Sequence, residues 1–178
     1  MVVFARKAMH ALLALACAFL APTLGVYGMS LAAATLFVLF LAARTVRALD
    51  PLRYAERASD GELYFALGVL LTGVLVLSRC ASCFAVGMLV LAVADPLASL
   101  VGRRFGSHTY RVFGELRTIE GSGACCVATW LLLFGVTSLS IATISVVAIM
   151  ITGVEALAPR GSDNLAIPLI TGLLVSVL

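Results

Sequence analysis

The chain is written in long apolar stretches punctuated by short polar ones. No Asp, Glu, Lys or Arg occurs from Ala8 to Ala43 or from Gly121 to Val154. A helix needs about 20 apolar residues to cross a bilayer, so each of these runs has room for two crossings. Seven segments fit the pattern, at about 8–24, 27–43, 62–78, 81–102, 122–137, 139–157 and 165–178. Backbone amides in hydrocarbon must be satisfied within the segment, which predicts helices rather than open strands. The expected fold is all-α: a polytopic membrane protein with about seven transmembrane helices, forming one integral-membrane domain over 1–178. Pro22, Gly25 and Gly28 are followed at once by a second apolar stretch, so the N-terminal segment reads as an uncleaved helix rather than a signal peptide.

Composition narrows the class. Of 178 residues, 62% are hydrophobic and 12% charged, against about 25% charged in soluble domains. This excludes a soluble enzyme, a secreted disulfide scaffold and a disordered tail. The five cysteines give no metal or disulfide framework, and Cys80 and Cys83 form one isolated CxxC at the turn between two segments.

The net charge of +3 is explained by topology rather than by nucleic acid, and no nucleic-acid partner is expected. Arg6 and Lys7 precede the first segment, and Arg44, Arg47, Arg53 and Arg57 follow the second. Arg103, Arg104, Arg111 and Arg117 follow the fourth, and Arg160 the sixth. Only Arg79, of 12 basic residues, falls on the other side. Such a positive-inside bias makes the N-terminus cytoplasmic. The expected location is the bacterial inner membrane, with the functional face towards the cytoplasm.

The few remaining charges then need a reason. Asp95 lies inside the fourth segment and is followed by Pro96. A carboxylate there costs about 2.5–3.5 kcal/mol on insertion scales unless it meets water, a partner or a metal. Asp95, Ser99 and Arg103 recur at i, i+4 and i+8, on one helix face. Gly102-Arg103-Arg104-Phe105-Gly106 follows, and guanidinium forks between glycines suit phosphate oxygens. The plain alternative is that Asp95 and Arg103 neutralise each other while the arginines anchor the headgroup interface. Arg117-Thr118-Ile119-Glu120-Gly121-Ser122 opens the fifth segment. Here Thr118 or Ser122 serves as a helix cap, with Glu120 either in the first turn or a metal ligand. Glu155 closes the sixth segment, and Asp163-Asn164 opens the seventh. Asp95, Glu120, Glu155 and Asp163 thus share one membrane face with a group of arginines, which suits a polyanion and a divalent cation. A site at that boundary takes one lipid substrate and one soluble phosphate compound.

Three blocks resemble the CTP-dependent lipid kinases, a group that includes dolichol, phytol and farnesol kinases and the CTP-dependent diacylglycerol kinase of fungi. They are Asp95-Pro-Leu-Ala-Ser-Leu-Val-Gly-Arg-Arg-Phe-Gly106, Arg117-Thr-Ile-Glu-Gly-Ser122 and Asp163-Asn-Leu-Ala-Ile-Pro168. The segment Arg57–Phe65 is similar to a weaker block, and the likeness covers about 53–178, the expected catalytic region. Arg117 stands where the family usually has lysine, and Ala94-Asp95-Pro96 departs from the commoner Gly-Asp followed by a small residue.

The resemblance implies transfer of the CTP γ-phosphoryl group to the hydroxyl of a lipid alcohol such as a polyprenol, diacylglycerol or phytol, with Mg²⁺ or another divalent cation. It implies Asp95, Glu120 and Arg104 as catalytic residues. Ser99, Gly102, Arg103, Arg104, Gly106, Arg117, Gly121 and Asn164 would hold CTP, and Asp95, Glu120, Glu155 and Asp163 the metal. By depth, Asp95 is the expected acceptor of the lipid hydroxyl proton. The alternatives are a phosphatidate cytidylyltransferase, which uses CTP to make a CDP-lipid, and a non-catalytic lipid-binding or transport protein. A homo-oligomer is compatible with all three.

Overall fold

The computed structural model describes residues 2–45, 60–159 and 161–178. Six helices and one β-hairpin make up these residues. They are α1 (Val2–Thr45), α2 (Gly61–Thr72, continued by a π-helical stretch Gly73–Leu77), α3 (Ala81–Phe105), β1 (Thr109–Val112), β2 (Glu115–Thr118), α4 (Ile119–Val136), α5 (Ile141–Leu157) and α6 (Asp163–Val177).

The central element is α3, which packs on α1, α4 and α6; α2 lies against α1 and α6, and α5 against α4 and α6. Over half of the apolar stretch of α3 is buried (56%), against 11% for α1. Phe84, Met88 and Val90 from α3 meet Phe65 of α2, Leu133 of α4, Ile144 and Ile151 of α5 and Ile167 of α6 in the core. The outer faces are also apolar: Phe19, Tyr27 and Leu31 on α1, Val127 and Leu131 on α4, and Val146 and Ile149 on α5 are all exposed. A large apolar exterior over an apolar core is what a hydrocarbon surround requires.

The seven-crossing expectation is overturned. Among the described residues three helices, α1, α3 and α4, are long and apolar enough to cross a membrane. The two N-terminal segments are one 44-residue element, in which Gly25 takes a non-helical φ of 62° beside Pro22. The stretches Gly61–Leu77, Ile141–Leu157 and Asp163–Val177 are shorter apolar helices of 10–17 residues. At 1.5 Å per residue each spans no more than about 26 Å, below the roughly 30 Å of a hydrocarbon core. The apolar pattern places these three helices to within two residues; it is their length, not their position, that falls short of a crossing.

The β-hairpin was not expected either. Thr109 pairs with Thr118 and Tyr110 with Arg117 in antiparallel register. Phe113 (φ 48°) and Gly114 (φ 82°) form its two-residue turn, with the positive φ values that a type I′ turn requires. A further difference concerns the CxxC, since Cys80 and Cys83 are disulfide-bonded at the start of α3. Arg47, Arg53, Arg57 and Arg160 lie outside the described residues, as do residues 57–59 of the Arg57–Phe65 block and the side chains of Arg6 and Arg44.

Candidate functional site

Four helices and the hairpin bring charged groups together. Asp95 lies just past the middle of α3 and is buried. Pro96, directly after it, is accommodated within a continuous helix. The Asp95 Oδ1 accepts from Lys7 Nζ of α1 at 2.6 Å. Glu155, at the last turn of α5, is ion-paired with the Arg117 guanidinium at the end of β2. The same guanidinium donates to the Ala158 carbonyl at 2.9 Å and stands 4.0 Å from Asp163 Oδ2. Asp163, in the first turn of α6, accepts from the Asn164 backbone N–H at 2.9 Å. The Asn164 side chain donates to the Gly61 carbonyl at 3.3 Å, which ties α6 to the start of α2.

These groups share one electrostatic neighbourhood. Asp163 feels the charges of Asp95, Lys7, Arg117 and Glu155, and Glu155 those of Arg117, Asp95 and Lys7. All three carboxylates are less than a tenth exposed. Buried acids persist in an apolar bundle only when paired or hydrogen-bonded, and here Lys7 and Arg117 supply the pairing.

Glu120 belongs to a second group at the same end of α3 and α4. Its carboxylate accepts from Ser107 Oγ at 2.7 Å and contacts His108 Nδ1 at 2.7 Å, and it also receives the His108 backbone N–H. Glu120 is therefore held by the loop residues Ser107 and His108, apart from the buried acids. Thr118 caps α4 by accepting from Gly121 N–H at 3.1 Å, and Ser122 bonds Tyr110 Oη at 2.6 Å.

The Gly102–Gly106 segment, which is the last turn of α3 and its cap rather than a loop, carries a packing duty. A Cβ on Gly102 would stand 2.7 Å from Thr118 Oγ1, and one on Gly121 would stand 2.8 Å from the Ala98 carbonyl. Gly106 faces Thr118 in the same way. The three glycines let α3 and the start of α4 touch backbone to backbone. Along the Asp95 face, Ser99 is half-buried and Arg103 exposed, so the face runs from interior to surface. Arg103 and Arg104 are exposed and form no ion pair among the described residues, and Arg104 lies over the Phe105 ring.

The sequence named Asp95, Arg117, Glu155, Asp163 and Asn164 as site residues, and the structure gathers these five. Glu120, Arg103 and Arg104 stand outside that cluster. Lys7 is the member that sequence reasoning missed, because its place before an apolar run was already explained by topology. His10, one turn further along α1, is buried and stacked on Phe65 with ring centroids 5.4 Å apart, which fixes this end of α1 against α2.

The donor set suits a hard divalent cation. Carboxylates and the Asn164 Oδ1, which is buried and has no hydrogen-bond partner among the described residues, are all oxygen donors. Among the described residues no three His, Cys, Asp or Glu side chains stand close enough to share one ion. Mg²⁺ commonly takes only one or two protein carboxylates, completing its shell with water and substrate phosphate.

The chain is 36% identical over 129 residues to a phytol kinase of Synechocystis sp.. That alignment covers 68% of this chain and 55% of the phytol kinase, so the chain spans about half the length of the relative it matches. No protein-family model matches the chain, and no solved structure matches it. The protein is a helical chain with helices apolar and long enough to cross a membrane, and over the aligned stretch it is similar to a phytol kinase.

Proposed function

We propose that this protein is a CTP-dependent kinase that transfers the γ-phosphoryl group of CTP to the hydroxyl of a membrane lipid alcohol, at the end of the bundle where Lys7, Asp95, Arg117, Glu155 and Asp163 meet. The observation that carries the reading is this buried cluster of three carboxylates and two cations, in a relative of phytol kinase. Phosphoryl transfer asks for positioning and charge neutralisation more than for covalent chemistry. A divalent metal, when bound, supplies charge neutralisation on the phosphates. Asp95, Asp163 and Asn164 Oδ1 are the donors nearest to hand for it, with Glu155 and Glu120 as further candidates. Arg117 is already held in place for a phosphate oxygen by Glu155 and Ala158. Arg103 and Arg104, exposed at the exit of α3, would meet the nucleotide from the cytoplasm, and Ser99 lies between them and Asp95. Gly102, Gly106 and Gly121 would contribute by keeping the end of α3 close to α4. Asp95 would take the lipid hydroxyl proton, and the region 53–178 would form the catalytic part of a single membrane domain.

The test is a reconstitution with Mg²⁺ and γ-labelled CTP, offering diacylglycerol, undecaprenol and phytol separately. Labelled lipid with CDP release is the expected result and names the acceptor. Pyrophosphate released on supplying phosphatidate, without labelled lipid, would replace the kinase by a cytidylyltransferase. Lipid binding without nucleotide consumption would make it a carrier.

A further inference from the structure

Of the 12 basic residues in the sequence, 11 are arginine, and Lys7 is the single lysine. It sits on Asp95, 88 positions away, at 2.6 Å. The two cations of the cluster are held differently. Arg117 is bound to Glu155 and the Ala158 carbonyl and lies beside Asp163. Among the described residues Lys7 pairs with Asp95, and its side chain is 21% exposed while that of Asp95 is 6% exposed. The ion pair therefore has a closed end and an open end.

We propose that Lys7 is a replaceable cation of the site: it neutralises Asp95 in the resting protein, yields that carboxylate to a divalent cation, and moves to a phosphate oxygen of the bound nucleotide. This rests on the phosphotransferase reading above. Lysine is the residue type for such an exchange, being a compact charge on a flexible four-carbon stem with rotatable donors, whereas a guanidinium fork commits to a fixed geometry. A divalent ion cannot join Asp95 while an ammonium sits in contact, because like charges at that distance in an apolar surround repel strongly. Nor can Lys7 simply leave, because Asp95 would then be an unpaired carboxylate among apolar helices. An exchange of cations keeps Asp95 neutralised throughout. His10 stacked on Phe65 holds the backbone of α1 while the Lys7 side chain moves.

The alternative is a static strut pinning α1 to α3, and the two predict different signs. The full chain in detergent is titrated with Mn²⁺, followed by electron paramagnetic resonance, with and without CTP. Lys7→Gln is expected to bind Mn²⁺ at least fivefold more tightly without nucleotide and CTP at least fivefold more weakly, with Lys7→Arg closer to wild type for CTP. A strut would weaken both together or leave Mn²⁺ unchanged, and either result overturns the proposal. A second measurement needs no variant: an amine-reactive reagent should label Lys7, read by peptide mass spectrometry, faster once Mn²⁺ is present. Unchanged labelling on a protein that binds Mn²⁺ overturns the exchange. Labelled lipid from a protein that binds no Mn²⁺ would overturn the role of Lys7 and leave the kinase. Mn²⁺ binding that tightens in Lys7→Gln, with no lipid labelled by CTP, would do the reverse.

Discussion

Arg117, at the end of a four-residue strand, is ion-paired with Glu155 at the far end of α5, 38 residues along the chain. Both side chains are largely buried, so neither has water as a substitute partner. Arg117→Met is expected to destabilise the protein by about 3 kcal/mol, since a buried carboxylate stripped of its partner is left uncompensated. The double variant Arg117→Met with Glu155→Gln should recover much of that loss. Unfolding curves in detergent compare the two, and a double variant no better than the single one would remove the pair from the account of stability.

Asp95→Asn should leave the fold intact, because Lys7 is partly open to solvent and can be hydrated when its partner is neutral. Turnover of label from CTP to lipid should fall by about 100-fold or more, the loss seen when one preorganised electrostatic group is removed. Normal turnover in a folded Asp95→Asn protein would falsify its assignment to the chemistry.

The contact of α3 with α4 makes a steric prediction. Gly121→Ala would press a methyl against the Ala98 carbonyl and Thr118 Oγ1, and should cost about 1–3 kcal/mol by overpacking. Gly123→Ala, two residues on, meets nothing within 4 Å and serves as the matched control. Equal melting temperatures for the two variants would contradict this packing.

Topology can be read from the disulfide. Cys80 and Cys83 sit at the opposite end of α3 from Arg103 and Arg104. If the arginines face the cytoplasm, as the positive-inside pattern predicts, a membrane-impermeant thiol reagent added to intact cells should label these two cysteines after mild reduction and not before. Labelling that requires permeabilised cells would invert the orientation.

How much of this was legible in the sequence depended on how far each signal reached. Asp95 announced itself because a carboxylate inside an apolar run needs a reason, and Glu155 and Asp163 could be placed beside it through loop charge alone. Lys7 could not be assigned to that group, since nothing local ties it to a residue 88 positions away. Apolarity located α2, α5 and α6 and their ends to within two residues, but an apolar pattern alone does not separate a helix that crosses from a shorter one packed among its neighbours, and by length these three fall short. The hairpin had a signal in Thr109-Tyr-Arg-Val-Phe-Gly-Glu-Leu-Arg-Thr118, with Phe-Gly between two short alternating runs, but it was overshadowed by its charges. Gly102 was read as room for an anion beside the backbone, whereas the structure uses it, with Gly121, to bring α3 against the start of α4.

The hairpin has one more consequence. The three buried acids are carried on helices locked into the bundle, whereas Arg117 is carried on a two-stranded arm whose tip, Phe113, is 76% exposed. Two strands of this length have little stability of their own. The carboxylates and Lys7 are thus set in the frame and one of the two cations is mounted on an adjustable bracket, so the guanidinium can be retuned by what touches the tip while the carboxylates stay where the helices put them.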